Sequence, residues 1–567
     1  MYVSRARIQN FKAFRDFALP LQEGLNVIAG NNDAGKSTLL EALHLVLAAS
    51  YRGRTIGSAI SEDLFNRACI EEFFQGIRRG QRPDPPRIAI EVVFGGEGSL
   101  VAEYQGDQNI PHAKESGMGI AIELNTDEYE EDFWNYVALK GVEELPVEYY
   151  RFVRYRFDRS PVHQRRVPIR SSLIDSSGQQ AHFGSKAYVS KSAREVLPRE
   201  NLIAIAQSHR KARSSFNADE NVVMANEAMG RKVQSLTGKS VSFAAAKGTK
   251  DAWESAIDTH LDGIPLFNAG AGSQSIVAIE LALRKVDGSR DNLVLLEEPE
   301  GHLSHSRLNM LLRDLIGRTQ ANQIVVSTHS SFVANKLMLN RLAWIEGNST
   351  KCLTDLKEET ARFFSKAAGY DTLRLLFCKA AILVEGDSDE LVVQKVYMNR
   401  HDGRLPIQDG IEVISVGTSF LRFFELAKLM GKTVVAITDN DGDLEAVREK
   451  YADYLVLDDD APVPSNSPIA SEPIAASFPT RTLAKGAIEN YSYNTLEPEL
   501  YEANGLEAIN RILGKSYGDR DTALRFMKNN KVESAMRFFD YEGSFAVPPY
   551  IVSALQFIEG CCHDGKE

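Results

Sequence analysis

Two short acidic signatures in the C-terminal half carry the most chemistry in this 567-residue chain. AAILVEGDSDE puts Glu385 just past an apolar run, Ala381–Val384, and VVAITDNDGD puts Asp439 and Asp441 just past another, Val434–Ile437. Short, continuous apolar runs predict buried parallel strands. Both strands would deliver carboxylates to the C-terminal edge of one sheet, where α/β proteins build their sites. Three or four carboxylates at one edge repel one another unless cations neutralise them. Hard oxygen donors in that number suit Mg²⁺ or Mn²⁺, and a divalent clamp points to phosphodiester chemistry. Either signature alone also fits a helix cap or an acidic turn. The two in this order, about 50 residues apart, favour the chemical reading.

A second set of residues lies near the N-terminus. Gly30-Asn31-Asn32-Asp33-Ala34-Gly35-Lys36-Ser37 is a full G-x4-GKS, followed by Thr38. It follows an apolar strand, Leu25–Ala29, and opens an apolar helix, Thr38–Leu47. The glycines let backbone N–H groups curl around a phosphate, Lys36 reaches the β/γ-phosphates, and the Ser37 hydroxyl binds Mg²⁺. ATP is the cofactor this implies. Further along, NLVLLEEPEGHLSH gives a strand (Leu293–Leu296) ending in Glu297-Glu298, and IVVSTHSSFV another (Ile324–Val326) ending at His329. GAGSQS, residues 270–275, reads as a Gly/Ser loop before an apolar helix.

This order of motifs resembles the ABC-type ATPases of the RecF and SMC kind. The resemblance makes Glu297 the Mg²⁺ support, Glu298 the residue that polarises the attacking water, His329 the γ-phosphate sensor, and Ser273 the signature contact to ATP on a second protomer. The chain departs from the commonest pattern at Glu297, where Asp is usual, and in having GAGSQS rather than LSGGQ. The acidic pair resembles the TOPRIM domain of topoisomerases, primases and some nucleases. There the first Glu and the DxD pair bind metal, which implies Glu385, Asp439 and Asp441, with Asp389 as an extra ligand. An ABC-type ATPase followed by TOPRIM resembles the OLD (overcoming lysogenisation defect) nucleases, among them the nuclease subunits of Gabija anti-phage systems. In that family Glu489 of KGAIENY resembles an acid of the second metal site, and Lys528 or, preferably, Lys531 the late catalytic lysine.

The resemblance implies an α/β fold: an N-terminal P-loop ATPase (1–159 and 241–350) with a helical dimerisation insert (160–240), a helical connector (351–378) and a TOPRIM domain (379–567). It implies an ATP-regulated, metal-dependent DNA endonuclease, nicking or cutting both strands, acting as a homodimer or a larger oligomer up to a tetramer. A helicase-like defence partner would be in keeping. The competing reading is an ATPase clamp or sensor whose TOPRIM domain only docks a partner; the intact acids favour the enzyme.

Bulk properties narrow the setting. At 43% hydrophobic and 25% charged the composition is that of an ordinary globular protein. No run of 18 apolar residues or signal-peptide core is present, and five scattered cysteines lack CxxC spacing, so a reducing cytoplasm is expected. A net charge of −12 argues against a protein that coats nucleic acid. DNA contact must then come from local patches. RFVRYRFDRSPVHQRRVPIR (Arg151–Arg170) is one: Arg154 and Arg156 alternate with Val153, Tyr155 and Phe157, so one strand face is basic. A solvated face or a subunit interface fits it equally. Residues 160–240 read as helical and polar, and Ala461–Pro479, rich in Pro and Ser, as a mobile loop.

Overall fold

Contacts divide the chain into two compact units, residues 1–328 with 344–350, and residues 329–343 with 351–567. The computed structural model describes residues 1–31, 33–96, 98–139, 141–162, 167–176, 199–232, 242–245, 259–283, 291–320, 322–337, 341–366, 370–440, 442–455, 474–479 and 495–563.

The first unit holds two sheets. β1 (Tyr2–Phe11) pairs antiparallel with β2 (Phe14–Pro20). β3 (Leu25–Gly30) is buried throughout and leads into α1 (Lys36–Ala48). β4 (Ile88–Gly95), β5 (Glu115–Leu124) and β6 (Tyr150–Arg156) complete an antiparallel sheet in the order β2-β1-β4-β5-β6. A register shift between Val3 and Arg5 explains why the alternation in β1 skips one residue: Val3, Ala6 and Ile8 all reach the core. The second sheet runs β7 (Ile169–Asp175), β8 (Asp291–Glu297), β9 (Gln323–Thr328), β3 and β10 (Leu342–Glu346), with Ser349–Cys352 outermost. β7, β8, β9 and β3 pair in parallel. Two long helices, α2 (Arg199–Ala218) and α3 (Glu220–Lys232), precede α4 (Ala271–Leu283).

Two expectations for this unit need correction. β7 lies inside residues 160–240 and belongs to the ATPase sheet, so that span is not wholly a helical insert. The Ser171-Ser172 pair breaks its apolar run, yet Ser172 is only 2% exposed although the strand lies at the edge of the sheet. GAGSQS is not a loop either: α4 starts at Ala271, so Gly272 and Ser273 form its first turn. Gly272 is needed there because a Cβ would stand 2.4 Å from the His302 carbonyl.

The second unit is a parallel four-stranded sheet in the order β12-β11-β13-β14. These are β11 (Ala380–Val384), β12 (Ile411–Ser415), β13 (Thr433–Ile437) and β14 (Ile474–Ser477). Helices Glu358–Lys366 and Tyr370–Phe377 lead into it. α5 (Asp387–Arg400), α6 (Leu496–Leu513), α7 (Lys531–Asp540) and α8 (Pro549–His563) share a core with the strands. Val392 and Val396 meet Leu496, Leu500, Ala535, Phe538, Ile551 and Leu555 in that core. β14 corrects the reading of Ala461–Pro479 as a loop: Ile474-Ala475-Ala476-Ser477 is fully buried and pairs parallel with β13. A four-residue strand of small side chains carries too weak an apolar signal to stand out beside Pro and Ser.

Candidate nucleotide and acidic sites

In the first unit the loop after β3 is shaped by steric necessity. A Cβ at Gly30 would lie 2.7 Å from the Ile345 carbonyl, and one at Gly35 would lie 2.7 Å from the Phe14 ring. Asp33 (φ 64°) and Gly35 (φ 92°) both take the left-handed region, turning the chain sharply into α1. Ala34 donates its N–H to the Asn31 carbonyl at 3.2 Å. Lys36, the first residue of α1, is 8% exposed and donates Nζ to the Gly30 and Asn31 carbonyls at 3.0 and 2.8 Å. The loop therefore holds the ammonium within its own curve. Burial lowers the Lys36 pKa, against the pull of Glu298, Asp33 and Glu297. Thr38 is buried in α1, and Asn32 lies outside the described residues.

Glu297 ends β8, and Ser37 Oγ donates to its carboxylate. The longer glutamate thus reaches the hydroxyl that a shorter aspartate would be expected to face. Burial raises the Glu297 pKa, and the Ser37 hydrogen bond opposes this. Glu298 adopts φ 45°, an uncommon conformation for a residue with a side chain. Its N–H donates to the Ser327 carbonyl and its own carbonyl accepts from Gly301, both at 2.9 Å. Strain at the residue next to Glu297 is what a site tolerates when a carboxylate must be aimed. The Ser273 hydroxyl accepts from Arg307 Nη1 at 3.4 Å. His329 follows Thr328 directly, where the chain passes into the second unit.

The second unit gathers acids at the C-terminal edge of its sheet. Glu385 follows β11; its Oε1 accepts from Thr438 Oγ1 at 2.5 Å and from the Asp439 N–H at 3.1 Å, both just past β13. Asp389 sits in the first turn of α5 and accepts from the Gly386 N–H at 3.1 Å. Asn440, fully buried, donates Nδ2 to the Pro479 carbonyl at 2.7 Å and accepts from the Gly442 N–H at 3.0 Å. That side chain pins the turn between the two aspartates of the DND sequence. Lys531, first residue of α7, reaches the same region and meets Glu497 at 3.7 Å. Lys528 lies one helix earlier, in Arg520–Asn529. Asp441 and Glu489 lie outside the described residues.

Electrostatics ties these groups together. Burial, then Glu497 and Glu385, push the Asp389 carboxyl up to about 7, while the Gly386 N–H and Lys531 oppose the rise. Burial, then Asp389, Glu385 and Glu497, raise Asp439 well above the ordinary carboxylate range, again opposed by Lys531. Among the described residues no group of three His, Cys, Asp or Glu side chains forms a metal cage by itself. The donor set nonetheless has the chemistry of a hard-cation site: the candidate donors are carboxylate oxygens, and the acids repel one another.

Sequence reading missed Thr438, Asn440, Thr495 and Glu497. Asn440 stood inside the DND motif and Thr438 directly before it, and both could have been noticed. Glu497 had no local signal, since its place depends on how α6 folds back.

The basic segment is largely engaged within the first unit. Arg154 Nη2 donates to the Leu47 carbonyl in the last turn of α1 at 2.6 Å, and burial lowers the guanidinium to about 10. Arg156 stacks over the Tyr104 ring at 4.6 Å, and Arg151 pairs with Asp127 at 2.5 Å. Arg165 and Arg166 lie outside the described residues. The face carrying Arg154 and Arg156 is a packing surface rather than an open DNA track.

Three stretches of the chain match known domain families. Residues 376–441 match the family "Overcoming lysogenization defect protein-like, TOPRIM domain". Residues 1–115 match the AAA ATPase domain, and residues 196–335 the AAA domain described with the AbiEii toxin of Type IV TA systems. A DNA replication and repair protein RecF of Herpetosiphon aurantiacus is 28% identical over 110 residues, 18% of this chain and 28% of that protein. The chain spans less than a third of the RecF relatives it matches, 28% and 15% of their lengths. An ATP/GTP phosphatase of Helicobacter pylori is 22% identical over 354 residues, 58% of this chain and 85% of that protein. Among solved structures, RecF with ATP aligns at 10% identity and a TM-score of 0.33, over 62% of this chain and 98% of that one. An SMC head domain from Thermotoga maritima aligns at 17% identity and a TM-score of 0.28, over 62% and 97%. No helix among the described residues is long and apolar enough to cross a membrane.

Proposed function

We propose that this chain, which joins an ATP-binding ATPase to the TOPRIM domain of the overcoming-lysogenisation-defect family, is an ATP-regulated, divalent-metal-dependent DNA endonuclease of anti-phage defence. The observation that carries this is the convergence of Glu385, Asp389 and Asp439 with Lys531 at one sheet edge, where the acids need a cation to coexist. Glu385, Asp389 and Asp439, with Asp441 and Glu489, are the residues that would hold Mg²⁺ or Mn²⁺. A bound divalent ion supplies Lewis-acid and water-activating chemistry for phosphodiester cleavage. Thr438 and the Asp439 N–H fix the Glu385 carboxylate, so one ligand is oriented before any ion arrives. Lys531 offers a positive charge beside that edge, where negative charge grows on the phosphate.

At the other site Lys36, now held by the Gly30 and Asn31 carbonyls, would bind the β/γ-phosphates of ATP, and Ser37 and Glu297 would hold its Mg²⁺. Glu298 serves as the base for hydrolysis, Ser273 of a second protomer contacts the nucleotide, and His329 senses the γ-phosphate. DNA is the partner, and the RecF relatives named for DNA replication and repair support it. A homodimer follows from a nucleotide site shared between protomers.

The test is cleavage of supercoiled plasmid by the full chain with Mg²⁺ or Mn²⁺, with and without ATP, beside Asp439→Ala. Metal-dependent nicks or breaks that vanish in the variant are expected. Cleavage by Asp439→Ala at the wild-type rate would overturn the acidic site. Intact ATP binding with no cleavage by the wild type returns the chain to a clamp or sensor.

A further inference from the structure

The acidic edge is joined by a buried carboxylate, Glu497, that neither motif supplies. We propose that Glu497 is a positioning residue that holds the Lys531 ammonium at the mouth of the acidic edge, facing the DNA phosphate; this rests on reading that edge as a nuclease site.

The geometry divides the two partners into a fixed one and a mobile one. The Lys531 side chain is 51% exposed, whereas that of Glu497 is 4% exposed. A half-exposed lysine on a four-carbon stem samples many rotamers. Glu497 is the second residue of α6, next to its N-cap Thr495. Its Oε2 accepts from Thr495 Oγ1 at 3.0 Å, which leaves Oε1 toward Lys531 Nζ at 3.7 Å. α6 and α7 are locked together through Leu496, Leu500, Ala535 and Phe538, so the anchor point does not drift.

Stability does not explain the arrangement. An ion pair with one partner half in water is worth little, and Glu497 adds repulsion to Asp389 and Asp439. A carboxylate that costs energy among acids gains a purpose if it fixes the Lys531 cation beside them. Lys531 acts on the reacting phosphate; Glu497 acts through Lys531.

The experiment uses the full chain. Glu497→Gln should lower kcat on the order of 10-fold, as loss of an orienting partner does, leaving KM for plasmid and Mn²⁺ affinity by calorimetry unchanged. Glu497→Asp should restore part of the loss. In a Lys531→Ala background the same change should cost nothing further. Additive losses, or loss of Mn²⁺ binding, would show Glu497 acting independently of Lys531 and overturn the proposal. A readout independent of cleavage keeps the two ideas apart: the acetylation rate of the Lys531 amine, followed by mass spectrometry, should rise severalfold in Glu497→Gln. If wild type cuts no DNA, the nuclease reading fails, and an unchanged acetylation rate would sink the positioning role as well. Should Glu497→Gln not fold, Thr495→Val loosens the same carboxylate and carries the same readout.

Discussion

At Asp389 the cost of gathering acids can be read as a pH effect. Its carboxyl stands at about 7 in the folded chain, raised chiefly by burial and the neighbouring acids, against about 3.9 in an unfolded one. The folded state therefore binds the proton more tightly, so this group's contribution falls as pH rises through the window between those values. Below about 4 both states are protonated and the penalty is absent; above 7 it is complete. In metal-free buffer Asp389→Asn should raise the melting temperature at pH 8 and have little effect near pH 4. Mn²⁺ should stabilise the wild type more at pH 8 than at pH 5, because protons compete for the same oxygens. Thermal unfolding across pH, with and without Mn²⁺, checks both. At the other site Lys36→Ala removes a charge-assisted contact to phosphate, and ATP affinity should fall on the order of 10- to 100-fold. Fluorescent-nucleotide titration measures it.

At the scale of elements, two side chains hold functional segments in place. Asn440 ties the turn after β13 to Pro479, just past β14. Asn440→Ala leaves the buried Pro479 carbonyl without this donor and frees the turn that carries Asp439. The expected loss is about 1–3 kcal/mol, with a larger fall in metal-dependent cleavage than a remote mutation of equal cost would give. Denaturant unfolding and the plasmid assay separate the two effects. Arg154 plays a comparable part for α1, donating to Leu47 in the last turn of the helix whose first turn carries Lys36 and Ser37. Arg154→Met should lower the melting temperature and leave the salt dependence of DNA binding unchanged. A flattened salt slope would return this residue to the DNA path.

For the whole molecule, the ATPase reading makes assembly depend on nucleotide. If Ser273 completes a partner's site, light scattering should find at least a dimer with ATP, and Glu298→Gln should hold that form longer by slowing hydrolysis. A monomer under all conditions would contradict a shared site. With a net charge of −12 the chain would not hold DNA by bulk charge. If it binds DNA as proposed, the interface is local, and the edge carrying Lys531 is the place the nuclease reading gives it.

What the sequence determined by itself was local in origin. The strands that end at Gly30, Glu297, Val384 and Ile437 announced themselves as short apolar runs, because parallel strands are buried on both faces. The carboxylates and the G-x4-GKS loop followed from spacing along those runs. Tertiary structure decided the rest. β7, partly buried, and β14, buried throughout, are strands of weak apolar pattern, held by neighbours rather than by their own residues. Arg154 and Arg156 looked like an exposed basic face until α1 and Tyr104 were packed against them. Glu497 lies 112 residues beyond Glu385, 497 − 385 along the chain, and joins the acids only because α6 and α7 close on the sheet edge. A contact made by folding back over such a distance leaves no periodic trace in the sequence, since nothing in the intervening residues needs to change for it to form.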